Sequence, residues 1–131
     1  MFIDASAIVA IVARESDAAA LAARLAQTSK TYVSPMCVYE AVLGLARSQN
    51  YALSDARRLV ARFIDELGAE MIDIDTNIGH AALDAFERFG KGRHPAGLNL
   101  GDCFAYACAR QLRVALLCKG DDFKRTDIAI G

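Results

Sequence analysis

The residues best suited to chemistry are acids set among apolar neighbours. They lie in four separate stretches: MFIDAS (Asp4), PMCVYEAVLGL (Glu40), LNLGDCFAYACA (Asp102) and CKGDDF (Asp121 and Asp122). Glu40 is the only charged residue between Pro35 and Ala46, and its neighbours at helical spacing are Met36, Cys37, Leu43 and Gly44. An ionised carboxylate in such company needs a partner or a cation, so a buried pairing with an arginine competes there with metal binding. Each of the other acids also has a local explanation. Asp4 could cap the helix that follows it. Asp102 could be a first-turn acid favoured by the helix dipole. Asp121 and Asp122, after Gly120, could form a turn, and Asp127 is a weaker candidate of the same kind. If the acids instead converge, oxygen-only donors suit hard cations such as Mg²⁺ or Mn²⁺. Cations held that way can activate water and stabilise the leaving oxygen in phosphodiester cleavage. No His pair, GxSxG motif or Walker loop offers a different chemistry. His80 falls within a helical pattern and reads as structural. Ser6 is a hydroxyl partner beside Asp4, and His94 in the basic loop is a candidate for phosphate contact.

The elements that must position these acids alternate strand and helix. A short apolar run predicts strand 1 near residues 1–4, and the DASAIVAIVAR stretch turns helical. Ser16 is a candidate cap for a helix over 17–27, and KTYVS reads as strand 2. Ser34 followed by Pro35 is a strong helix start, with the helix running to about Arg47. Ser54 is placed as the cap of another helix, which Gly68 stops. EMIDI is strand 3, Thr76 opens a helix ended by Gly90, GKGRHPAG is a loop, and GDCFAYACARQL is a helix. VALLC is strand 4 and DIAI a short strand 5. This alternation predicts an α/β sandwich around a parallel sheet. In such sheets ligands collect beyond the carboxyl ends of the strands, where Asp4 and the Asp121–Asp122 pair would stand.

The chain has 131 residues, which suits a single domain over 1–131. It is 54% hydrophobic and 24% charged, enough to build a core. No apolar run is long enough for a bilayer and no signal segment opens the chain, so a cytoplasmic protein without membrane attachment is expected. Four cysteines without CxxC spacing read as reduced core residues. The net charge of −1 is unevenly spread. Residues 1–85 carry a balance of −4 and residues 86–125 a balance of +4. A basic stretch beside an acidic cluster suits a polyanion held next to bound cations. Arg93, Lys119 and Lys124 are the candidates for holding its backbone.

These stretches together resemble the PIN-domain ribonuclease toxins of the VapC type, from bacterial toxin–antitoxin modules. The resemblance rests on MFIDASAIVAI, the Glu40 helix, GKGRHPAGLNLGDCFAYACA and LLCKGDDFKRTDIA, which span nearly the whole chain in the family's order. It implies a PIN-like three-layer α/β/α fold with a central parallel sheet of four to five strands in the order 3-2-1-4-5. It also implies Mg²⁺-dependent cleavage of RNA, with Mn²⁺ as a substitute, by a homodimer silenced by a cognate antitoxin. Asp4, Glu40 and Asp102 match the family's acidic positions. Asp122, next to Phe123, matches the more regular fourth position and is favoured over Asp121. Two other classes stay open at this point: a phosphoacceptor, receiver-like domain using Asp73 or Asp75 after strand 3, and a noncatalytic interaction domain.

Overall fold

A computed structural model describes residues 1–131. Four strands, β1 (Phe2–Ile3), β2 (Tyr32–Val33), β3 (Glu70–Met71) and β4 (Leu116–Leu117), form one sheet in the order β3-β2-β1-β4. Every pairing is parallel, with Phe2 opposite Tyr32, Ile3 opposite Leu117, and Val33 opposite Met71. The expected fifth strand is reduced to a single parallel bridge between Ile130 and Leu116. It lies on the predicted edge, next to β4, and is anchored by Leu116 N–H to Ala129 O at 2.8 Å and Gly131 N–H to Leu116 O at 3.0 Å.

Six helices complete the fold: α1 (Ala5–Val12), α2 (Ala18–Ala26), α3 (Pro35–Gln49), α4 (Leu53–Leu67), α5 (Thr76–Phe89) and α6 (Leu100–Leu112). Helix α3 packs on α4 and α1, α5 packs on α6, and α6 lies against β1 and β4. Phe2, Ile3, Val33, Leu116 and Leu117 are buried in the core. This is why the central strands read as short continuous apolar runs rather than as alternating ones.

Local chemistry sets most helix ends. The Ser34 hydroxyl accepts from Cys37 N–H and Pro35 follows, so α3 starts where the sequence places it; it ends at Asn50 in the left-handed region, three residues beyond Arg47. Gly68 stops α4 at φ 65°, a conformation that favours glycine. Two predicted caps are replaced. Helix α2 has Asp17 rather than Ser16 at its N-cap, without a side-chain bond, and α4 starts before Ser54, from Ala52. Thr76 is the first residue of α5, but the capping carboxylate is Asp75, which accepts from Ile78 N–H at 2.8 Å. That role and the edge position of β3 set Asp73 and Asp75 apart from the central strands, which removes the structural basis of the receiver-like reading. All four cysteines are free and buried. No helix is long and apolar enough to cross a membrane.

Candidate active site

Parallel pairing puts the residues that follow β1, β2 and β4 along one edge of the sheet. Asp4 follows β1 directly, and its N–H bonds to Leu117 O at 2.9 Å. Its carboxylate caps α1: Oδ2 accepts from Ser6 N–H at 2.9 Å and from the Ser6 hydroxyl. The same Ser6 Oγ accepts from Lys119 N–H at 3.0 Å, so one hydroxyl ties the end of β4 to the acid at the end of β1. Asp4 is buried, and desolvation pushes its pKa up against the opposing effect of the Ser6 hydrogen bonds.

Asp102 reaches the same region from the first turn of α6. The Asn99 side chain accepts from Asp102 N–H at 3.0 Å while Asp102 Oδ2 accepts from Asn99 N–H at 2.9 Å. This reciprocal capping box is what makes α6 start at Leu100. Burial pushes the Asp102 carboxyl up to about 6; the Asn99 bond opposes this, and Asp4 and Asp122 add to it.

Glu40 projects from α3, whose start is fixed by Ser34 and Pro35. It makes no hydrogen bond or ion pair, and its carboxylate lies against Gly101 in the first turn of α6. Burial is the main cause that pushes it up to about 7, followed by the charges of Asp4 and then Asp102. Asp4 therefore acts on both Glu40 and Asp102, and Asp102 on Glu40. The arginine that could have paired with Glu40 is absent: every ion pair of the protein lies elsewhere, and none involves Asp4, Glu40, Asp102 or Asp122.

The two loop aspartates divide. Both are exposed, but Asp121 pairs with Lys124 at 2.7 Å. Asp122 opens the 3₁₀ turn Phe123–Arg125, has no side-chain partner, and is the loop acid whose charge reaches Asp102. The carboxylates do not form a ready-made group of three or more metal-binding side chains.

The donor set nonetheless fits a hard divalent cation. It offers carboxylates only, without basic partners. Asp4 and Asp102 each spend Oδ2 on a cap, which fixes the carboxylate and leaves Oδ1 unbonded. Cys118 lies close to the site as a neutral wall, its thiol pushed up to about 12 by burial and then by Asp4.

The candidate RNA-holding residues have other local engagements. Lys119 pairs with Glu15 and stands 3.7 Å from Asp17. Lys124 pairs with Asp121. Arg93 sits 5.8 Å over the Phe86 ring. His94 accepts from Ala96 N–H through Nδ1 at 3.1 Å and meets Phe89 edge-on, so it organises the basic loop. His80 is exposed on α5 rather than packed inside. Gly101, whose signal in the sequence is only a glycine within the first turn of an otherwise good helix, also lies against the Glu40 carboxylate.

A four-stranded parallel α/β sheet of this order, flanked by helices, defines the fold class, and comparison with known proteins narrows it. The PIN domain family model matches residues 1–129. A VapC ribonuclease of Rhizobium meliloti is 43% identical over 139 residues, covering 97% of this chain and 98% of that protein. Ribonuclease VapC42 of Mycobacterium tuberculosis is 38% identical over 129 residues, covering 98% and 96%. The chain belongs to the PIN-domain family, in its VapC ribonuclease group. Among solved structures, the fold resembles Mycobacterium tuberculosis VapC20, a sarcin-ricin loop cleaving toxin, with a TM-score of 0.76 at 16% identity, covering 98% of this chain and 95% of that one. It also resembles a toxin–antitoxin complex from Klebsiella pneumoniae, at 0.70 and 17%, covering 99% and 95%.

Proposed function

We propose that this chain is a divalent-metal-dependent endoribonuclease, the toxin of a toxin–antitoxin pair, with Asp4, Glu40, Asp102 and Asp122 as its catalytic acids. The observation that carries the reading is Glu40: a half-buried carboxylate beside Asp4 and Asp102, its proton affinity raised, with no basic group to neutralise it. A network built for stability would supply that partner. An acidic pocket kept without one suits Mg²⁺, with Mn²⁺ as a substitute.

Asp4, Glu40 and Asp102 would hold the cation, with Asp122 closing the site from the loop. A cation held there would supply the charge needed to activate water and to neutralise the phosphate and the leaving 3′ oxygen. The protein's own contribution is placement. The caps of α1 and α6 fix two carboxylates, and Ser6 holds Asp4 in register with the end of β4. Apolar neighbours, Cys118 among them, lower the local dielectric, which strengthens every charge interaction inside. No side-chain nucleophile is required.

Protein partners follow from surface chemistry and from the relatives. Leu83, Phe86 and Leu100 expose an apolar face on α5 and α6, and Tyr39, Leu43, Leu53 and Met71 expose another around α3 and α4. Two such faces suit a second copy of the chain and an antitoxin; one structural neighbour is a toxin–antitoxin complex.

The experiment is cleavage of total RNA by purified protein, with sequencing of the new RNA ends. Mg²⁺ or Mn²⁺ should support cleavage and excess EDTA should abolish it. Undiminished cleavage in EDTA would overturn the metal reading, and no new ends at all would overturn the nuclease reading.

A further inference from the structure

We propose that Gly101 is a positioning residue: its missing side chain is the space in which the Glu40 carboxylate lies, across the first turn of α6 and beside Asp102. The proposal rests on the reading of Glu40 as a cation-binding acid.

The geometry is direct. A Cβ built on Gly101 would stand 2.0 Å from each Glu40 carboxylate oxygen and 2.2 Å from its Cδ. Nothing else comes nearer, so the volume a side chain would fill is occupied by one carboxylate. Gly101 is buried, and a side chain there has no solvent to turn into.

The backbone does not explain the glycine. Positive φ occurs at Gly68, Gly92, Gly97 and Gly120, but not at Gly101, which sits in regular helix. Alanine is a far better helix former at such a position. The other helical glycines differ. A Cβ at Gly79 would meet nothing within 4 Å, and one at Gly44 would only press on Val9 at 3.2 Å.

The atoms in the way are the tip of a flexible side chain, not backbone. A larger residue at 101 therefore displaces the carboxylate and leaves the helix in place. Glu40 moves off the pocket, away from Asp4 and Asp102, and one oxygen donor is lost without any change in charge.

Three variants test this: Gly101→Ala, Glu40→Ala and the double variant. Each is measured by thermal melting in EDTA, by Mn²⁺ titration followed by electron paramagnetic resonance, and by RNA cleavage kinetics. Gly101→Ala should melt at or above the wild-type temperature. Its Mn²⁺ affinity should fall by about 10–100-fold, the usual scale for losing a group that orients a ligand. Cleavage should fall in kcat, with KM for RNA little changed. The double variant should bind Mn²⁺ no worse than Glu40→Ala alone, because Gly101 acts only through Glu40. Wild-type Mn²⁺ affinity in Gly101→Ala, with affinity lost in Glu40→Ala, would overturn the role of Gly101 and leave the metal reading standing. So would losses that multiply in the double variant, or a lowered melting temperature, which would place the strain in the helix. Unchanged affinity in Glu40→Ala would remove the reading of Glu40 and this proposal with it.

Discussion

Replacing Glu40 by Gln should stabilise the metal-free protein at alkaline pH while abolishing cleavage. The side chain keeps its shape and loses the charge that burial, Asp4 and Asp102 oppose. Its carboxyl is pushed from an ordinary 4.5 up to about 7, a rise worth about 3 kcal/mol at 1.36 kcal/mol per pH unit. Glu40 is only half-buried, and discounting by half for solvent screening leaves about 1–2 kcal/mol. The sign follows from proton linkage. Between pH 4.5 and 7 the folded protein holds a proton that the unfolded chain has released, so wild-type stability falls as pH rises through that window. The gain from Gln should therefore be near zero at pH 4.5 and full above pH 7.5. For a chain of this size it should raise the melting temperature by about 3–8 °C. Thermal melts of both proteins in EDTA, at several pH values, measure it. A pH-independent difference would refute the reasoning. A loss of about 3–5 kcal/mol would mean that a buried cation had been stranded, contrary to the absence of any basic partner.

Asp122→Asn should lower RNA cleavage strongly while Asp121→Asn leaves it near wild type, since of the two exposed acids only Asp121 is paired with Lys124; equal losses in a parallel cleavage assay would show that the loop acids act together. Ser6→Ala removes the donor to Asp4 and the acceptor of Lys119 N–H. It should cost about 1–2 kcal/mol in denaturant unfolding and weaken Mn²⁺ binding, and an unchanged midpoint would deny Ser6 its bridging role. The exposed apolar faces predict a homodimer. Sedimentation at micromolar concentration without antitoxin checks it, a monomer counting against the prediction.

Much of the fold was legible because its signals are local. Ser34 and Pro35 start α3, Gly68 ends α4, and short apolar runs between amphipathic helices give the parallel sheet. The misplacements arose where two good local choices adjoin or where tertiary contacts decide. Ser16 and Asp17 are both capping types, and the turn in which Ala18 N–H bonds to Glu15 O at 3.0 Å selects the second. Ahead of Ser54, bonds from Asp55 and Ala56 N–H to Ala52 O carry the helix cap two residues earlier. The last strand shrank to a bridge because only Ile130 meets Leu116 in register. At the site, residue types pointed to the acids, but pairing is a three-dimensional fact. The charge balance of the last third could not show that Lys119 is held by Glu15 and Lys124 by Asp121. Nor could it show that Glu40 has no arginine.

The local and functional explanations of the acids turn out to be compatible, and their difference isolates what the site requires. Asp4 does cap α1 and Asp102 does complete a capping box. Capping, however, asks only for a short side chain with an acceptor oxygen, and Asn or Ser serves about as well as Asp. It does not ask for a negative charge. Here the charge is the unfavourable part: burial raises the Asp4 carboxyl and brings that of Asp102 up to about 6. Glu40, which caps nothing, carries the same penalty with no local benefit at all. One buried and two half-buried carboxylates kept against their own desolvation, two of them on side chains whose structural duty a neutral residue could perform, mark the feature that structure alone does not need. A bound cation is the simplest agent that makes each of them favourable at once.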